Sequence, residues 1–332
     1  MLEHLLAVTR VGWRATFTDL GRRDSEISGV PTGGAADQHS AAVANILVGN
    51  PRDATLVETI GDFGFVPSAP VLVAVTGATA TVTVNGGHAD AWSTLVVPAG
   101  HEVAVTQTRA GLRAYIAVGG QLVAPRFMGS TSPDPRMGFA QLISRGQGIR
   151  LAHPSALPGL RGMGATPFLF DVPRLDLSAG PWMLDVVPAA EHDLVPEIHS
   201  LLAEASYTVK PQSDHVGLRL DGPVVHVRGP EIVSHGVPIG AVEIPHADDE
   251  LIVLGRYRTL TAGYPIVGVV ARSDLPLLAQ LAVGQAVRFR WTSRRDAVAR
   301  ERARAASLAA LEKNVTDAFG AVVKQIGVDW WL

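Results

Sequence analysis

Four clusters of polar residues set among glycines carry the side chains that could do chemistry. The first is Asp19-Leu20-Gly21-Arg22 followed by Gly29-Val30-Pro31-Thr32-Gly33-Gly34-Ala35-Ala36-Asp37. Glycines allow left-handed backbone and close approach to a ligand, so Asp19, Arg22 and Asp37 can line such a loop. A tight turn with a helix cap explains the same residues. The second runs from Asn45 through Asn50 to Glu58 and Gly61. A carboxylate among apolar neighbours needs a partner, so Glu58 reads as an ion-pair partner of Arg22 or as a ligand contact. The third, Ser213 to Pro223, holds Asp214, Arg219 and Asp221. Arg219 suits bidentate carboxylate binding, and an internal salt bridge suits it nearly as well. The fourth runs from Ser234-His235-Gly236 through Glu243 to Thr261-Ala262-Gly263-Tyr264-Pro265. Two hydroxyls, a glycine turn and a carboxylate make either a polar pocket at a barrel rim or a plain rim turn.

The elements that must position these clusters are mostly strands. Gly (34) and Pro (22) punctuate short runs rich in Val, Ala and Thr. Val71–Thr76, Ala80–Val84, Ser93–Val97, Glu102–Thr106 and Arg113–Val118 read as a β-meander or barrel with turns at Asn85-Gly86-Gly87 and Pro98-Ala99-Gly100. Val224–Val227, Leu251–Leu254, Ile266–Val270 and Ala286–Phe289 repeat the style. No βαβ alternation is present, which argues against a doubly wound parallel sheet. Helices are expected from Asp37 to about Val48, from Ser273 through Ala282, over roughly Val187–Ala205 with Pro196 a possible break, and from Ser293 to about Lys324. The last is a helix docked on the barrel or an oligomer contact anchored by Trp330-Trp331-Leu332.

The 332 residues exceed one ordinary core, so two domains are expected. Gly29–Gly33 (GVPTG) echoes Gly236–Gly240 (GVPIG), which fits two related barrels. The loop-like stretches 153–164 and 176–181 place the boundary near 150–180. The fold expected is mainly β. Residues 1–165 form an N-terminal β-barrel domain, 166–292 a C-terminal β-barrel domain, and 293–332 a C-terminal helical extension.

A net charge of -3 gives no reason to expect nucleic acid or an anionic membrane as partner. The chain has no cysteine, which excludes disulfides, thiolate metal sites and a cysteine nucleophile. The first residues do not read as a signal peptide, and no apolar run reaches the roughly 18–20 residues of a membrane span. A cytoplasmic protein is expected. There is no GxxxxGK[ST], no GxSxG and no HExxH. His192 and His199 are seven apart, too few for a metal site, and no metal is expected. No Met-Lys-Met occurs, so biotin is not expected on this chain.

Taken in order, the clusters resemble the family formed by the C subunit of 5-oxoprolinase. That group also covers allophanate hydrolase subunit 2, the Kip-type kinase-inhibitor antagonists and the carboxyltransferase part of urea carboxylase. The resemblance runs from about Asp19 to Trp291 through Asp19–Arg22, Gly29–Asp37, Ala44–Asn50, Glu58, Gly61, Val75–Ala78, Gly129-Ser130, Ser213-Asp214, Gly217–Leu220, Ser234–Ala241 and Gly263–Pro265. It implies tandem cyclophilin-like β-barrels and one component of a hetero-oligomeric, urea amidolyase-like hydrolase that opens a small amide or lactam. The partner implied is the B subunit of such an enzyme or an allophanate hydrolase subunit 1-type chain, with ATP entering through the complex. The residues it marks are Glu243, Thr261 and Tyr264 as catalytic, and Arg22, Asp37, Asn45, Glu58, Asp214, Arg219 and Gly263 as substrate-binding. A ligand-binding or kinase-regulatory module, or a urea-linked carboxyltransferase component, is the alternative. The chain departs from the family where Glu243 replaces Gln, Tyr257 replaces Asp, Ala262-Gly263 replaces Gly-Gly, Gly33 replaces Ser and Gln147 replaces Asp.

Overall fold

A computed structural model describes residues 4–155, 168–178, 180–195, 197–227, 232–245 and 250–326. Parts of the expected linker (156–164, 179), Pro196 and the Trp330–Leu332 anchor lie outside the described residues. The chain divides into two compact units. One comprises residues 1–21, 38–176 and 306–332, and the other 22–37 and 177–305. Both GVP segments fall in the second unit.

The first unit is a ten-stranded sheet. Its two longest strands, Val71–Val84 and Val103–Val118, absorb four of the expected short runs and pair with each other along most of their length. Alternate residues of each, among them Val71, Val73, Val75 and Val103, Val105, enter one apolar core with Phe63, Phe65 and Ile116. The helix Gln38–Leu47 ends at Gly49, in left-handed backbone, as its sequence predicts.

The second unit holds a closed barrel of seven strands: Trp182–Pro188, Tyr207–Val209, Gly217–Asp221, Ala241–Glu243, Leu251–Leu254, Ile266–Val270 and Ala286–Trp291. Among the described residues every strand pairing except that of Trp182–Pro188 with Ala286–Trp291 is antiparallel. Leu184, Val186, Leu220, Val242, Val253, Val267 and Phe289 fill its interior core. A separate two-stranded ribbon pairs His235–Gly236 with Thr261–Ala262.

Two expectations fail locally. The helix over Val187–Ala205 shrinks to Ile198–Glu204, because Trp182–Pro188 is drawn into the barrel by pairing on both edges. Val224–Val227 forms no strand, although Val225 is fully buried in the barrel core. The run was apolar enough to be inside but had no free edge to pair with. The Ser293 helix appears as Arg294–Ile326, with the Ser293 hydroxyl accepting from the Asp296 amide at 3.1 Å.

Candidate functional site

Glu243 is the most unusual side chain of the second unit. It ends the strand Ala241–Glu243, in which Val242 points into the barrel core. By strand alternation Ala241 and Glu243 face the other way. There Ala241, Val237, Ile252, Leu254 and Ile266 form a second apolar cluster. Ile252 and Ile266 are also the cross-strand partners of Glu243. The residue is only 3% exposed, and its Oε1 is buried without a hydrogen-bond partner. Burial pushes its pKa from 4.5 up to about 7, partly opposed by His235.

The ribbon beside it carries the remaining members of the fourth cluster. His235 pairs with Ala262 across the ribbon, and Thr261 pairs with Gly236. Thr261 is exposed and Tyr264 is 43% exposed. A Cβ on Gly263 would stand 3.0 Å from the Ile232 carbonyl oxygen, so the segment 232–234 can run close only because that position has no side chain. The chain then returns to the barrel, with the Ile244 amide donating to the Pro265 carbonyl at 3.2 Å. This places Glu243, Thr261, Gly263 and Tyr264 at one edge of the unit.

Two residues there were not singled out from sequence. Glu191 Oε2 accepts from the Ile266 amide at 3.1 Å, and its Oε1 lies 3.5 Å from His235 Nε2. His235 belongs to the fourth cluster, where its spacing gives it no role of its own. Glu191 lies more than forty residues earlier, in a segment expected to be helical, and no local signal marks it.

A second polar group in this unit surrounds the first glycine loop. Arg22 is 1% exposed, and its amide donates to the Thr32 carbonyl at 2.7 Å. Asp37 is fully buried and accepts from Gln280 Nε2 at 2.9 Å. Tyr257 donates to the Gly34 carbonyl at 3.2 Å. A Cβ on Gly33 would lie 2.8 Å from Arg22 Nη1 and 3.0 Å from Tyr257 Cε1. The Tyr257 ring and the Arg22 guanidinium take the space that a side chain at position 33 would need.

The other candidates are bound up in local structure. Asn45 is fully buried, donates to the Arg52 and Ala54 carbonyls at 3.3 and 2.9 Å, and accepts from Asn50 at 3.3 Å. Glu58 accepts from the Tyr115 hydroxyl at 2.8 Å and lies 3.8 Å from Arg113. Asp214 caps its own turn, accepting from the Val216 and Gly217 amides. Arg219 donates to Glu250, which also holds Lys210 at 2.7 Å and has its own pKa lowered by these two cations against the opposing effect of burial. The internal salt bridge is thus the reading that geometry supports for Arg219. Among the described residues no cluster could hold a metal. His192 and His199 sit on separate helical turns, their rings 5.4 Å apart, and His199 packs against Trp291.

Residues 28–291 match the model of the carboxyltransferase domain, subdomain A and B. The chain belongs to this family. It is 28% identical to the C subunit of 5-oxoprolinase from Escherichia coli (strain K12), covering 86% of this chain and 90% of that protein. The C subunit of the Haemophilus influenzae 5-oxoprolinase is 26% identical over 88% of this chain and 93% of its own length. Among solved structures, that of TTHA0988 superposes with a TM-score of 0.74 at 27% identity over 87% of this chain, which spans 56% of the TTHA0988 chain. The K. lactis urea amidolyase shares the fold, with a TM-score of 0.80 at 22% identity over 92% of this chain and 20% of that one. No helix among the described residues is long and apolar enough to cross a membrane.

Proposed function

We propose that this chain is the counterpart of the 5-oxoprolinase C subunit in a hetero-oligomeric hydrolase that opens a small amide or lactam, with 5-oxoproline the first substrate to test. The kinship with the two bacterial C subunits over nearly the whole length of both proteins supports the assignment. The observation that carries the chemistry is the Glu243 carboxyl, buried in apolar surroundings with a pKa of about 7. A group that titrates near neutral pH can both take and return a proton. In this reading Glu243 removes a proton from the water that adds to the amide carbonyl. As the C–N bond breaks it delivers that proton to the leaving nitrogen. The exposed Thr261 and Tyr264 hydroxyls orient the substrate at the ribbon, beside Gly263. Tandem cyclophilin-like barrels divided near residue 165, with a helical extension from 293, and a cytoplasmic setting complete the proposal.

The partner is a 5-oxoprolinase B subunit or an allophanate hydrolase subunit 1-type chain. ATP, bound through the complex, would activate the amide carbonyl. This chain offers no phosphate-binding loop of the GxxxxGK[ST] kind. Biotin belongs elsewhere if carboxyl transfer occurs: Lys210 is tied to Glu250, Lys313 to Asp317, and no lysine lies in a Met-Lys-Met motif. Reconstitution with the partner subunits should give ATP-dependent release of glutamate from 5-oxoproline, lost in Glu243→Ala. A fully assembled complex that turns over neither 5-oxoproline nor another small amide would refute the assignment.

One observation favours a second reading. The Tyr257 ring fills the space beside Gly33 and Arg22, which fits a chain that serves as a binding module. Under that reading the assembled complex binds a small ligand or a kinase in calorimetry with no product formed.

A further inference from the structure

We propose that two turns of the first unit, with Leu142 and Trp13 beside them, form the surface on which the partner subunit docks, and that the partner meets it with an acidic, apolar face. The inference rests on the proposed two-subunit assignment for the identity of that partner. It adds where the partner binds and what its surface must carry.

The turns stand on a buried base. The Asp19 carboxylate accepts from the Ser130 and Ser132 hydroxyls at 2.5 and 2.9 Å and from the Thr131 amide at 2.8 Å, and all three residues are fully buried. On one side of this base Phe127 and Ser130 exchange backbone hydrogen bonds at 2.8 and 3.1 Å, closing a turn over Met128-Gly129. On the other, Asp134 and Phe139 exchange theirs, and the Asp134 carboxylate accepts from the Met137 amide at 3.2 Å. The Phe127 and Phe139 rings, 5.7 Å apart, tie the two turns together. The chain then runs along the edge of the strand Arg14–Thr18. Leu142 pairs with Thr16, and the Ile143 amide donates to the Ala15 carbonyl at 2.9 Å. Trp13 immediately precedes that strand.

These elements leave apolar side chains outside. Met128, Met137, Leu142 and Trp13 are all exposed, Leu142 by 61% and Trp13 by 79%. Met128 also sits in left-handed backbone, at φ 48°, with Gly129 following at 80°. Asparagine or glycine suits such a position, and methionine there costs about 1 kcal/mol. An exposed side chain gains little from the core to offset this. A partner that covers it gains about 1.5–3 kcal/mol. Methionine adapts to irregular surfaces, and interface cores concentrate Met, Trp and Arg.

The charges say which partner. Residues 121–150 hold four arginines, at 126, 136, 145 and 150, and one acidic residue, Asp134, which is buried. Arg126 donates to the Gly129 carbonyl at 2.8 Å and stands 4.0 Å from Asp19. Arg136 and Arg145 are exposed and make no hydrogen bond or ion pair among the described residues. On the Trp13 side Asp62 follows, its carbonyl accepting from the Gly12 amide at 2.6 Å, so the partner's carboxylates belong at the turns. A second copy of this chain would lay arginines against arginines in a two-fold contact. Aliphatic tips offer no platform for stacked bases, which disfavours nucleic acid. Carboxylates opposite Arg136 and Arg145, with apolar groups between them, complement the surface.

Hydrogen exchange on the full-length chain, alone and mixed with the B subunit-type partner, locates the contact. The amides of 128–129 and 136–142 should slow in the complex. Arg136→Glu with Arg145→Glu should weaken binding about tenfold or more and remove its loss at high salt. Met137→Asp with Leu142→Asp should weaken it by a similar factor. All four positions are exposed, so urea unfolding of the variants should match that of the unmodified chain, which separates a lost contact from a lost fold. A complex that protects other segments and tolerates both variants would overturn this inference and leave the subunit assignment standing. Absence of a complex with any partner subunit would overturn both. Protection of the turns by anionic phosphatidylglycerol vesicles and not by the partner would give the surface to a membrane and overturn the inference as well.

Discussion

Glu243→Gln should make the second unit more stable in alkali relative to the unmodified chain, and its magnitude follows from burial. Unfolded, the carboxyl titrates at 4.5; folded, burial moves it to about 7. Below 4.5 both states hold the proton, and there is no difference. Between the two values the folded state binds the proton more tightly, so folding stability falls as pH rises through this window. Above 7 the folded protein carries the whole cost of a buried carboxylate. At roughly 1.4 kcal/mol per pH unit this amounts to about 3 kcal/mol. Glutamine has the same shape and never ionises, so the variant lacks this fall. Its amide brings two donors that need partners, a cost of about 1–2 kcal/mol that does not vary with pH. The quantity to read is therefore the stability difference between the two proteins at pH 5 and at pH 8. Urea unfolding followed by the fluorescence of Trp182 and Trp291, both in the second unit, measures it. The difference should move by about 2.5 kcal/mol in favour of glutamine between the two pH values, since part of the effect is already present at pH 5. A difference that stays constant within about 0.5 kcal/mol would mean that Glu243 is not held in a desolvated site.

Gly33→Ser should destabilise the second unit by about 2–4 kcal/mol, from its left-handed backbone and from overlap with the buried Arg22 and the half-buried Tyr257 side chains. Tyr257→Ala in the same chain should recover part of the loss, and a double-mutant cycle in urea with no coupling would show that the two positions do not share space. Asp19→Asn should cost the first unit about 3–5 kcal/mol in thermal or urea unfolding. The Asp19 carboxylate accepts from the Gly21 and Thr131 amides, both at 2.8 Å, and from the Ser130 and Ser132 hydroxyls at 2.5 and 2.9 Å. An amide would turn a donor toward donors.

Much of the architecture was legible in the sequence because it depends on local chemistry. Valine- and threonine-rich runs between glycine turns favour strands, and Leu251–Leu254 and Ile266–Val270 appear as read, although Val224–Val227 does not. The helix Arg294–Ile326 follows from its composition and its serine cap. The ordered motifs were enough to indicate the family. Among the site residues, Glu243 stood out in the fourth cluster, as a carboxylate beside two hydroxyls and a glycine turn.

What the sequence left open were the choices between partners. Arg219 suited a ligand, and a salt bridge nearly as well; the fold brings Glu250 to it from thirty-one residues away. Gly33 and Tyr257 are 224 residues apart in sequence, and only the fold places the ring against the glycine. Glu191 carried no mark of its own, and it joins the site only because Ile266 pairs beside Glu243 and offers its amide there. Strand propensity and turns act over a few residues and can be read along the chain. The pKa of Glu243 and the identity of its neighbours arise from desolvation and Coulomb interactions across the barrel, which depend on distances that only the closed sheet creates.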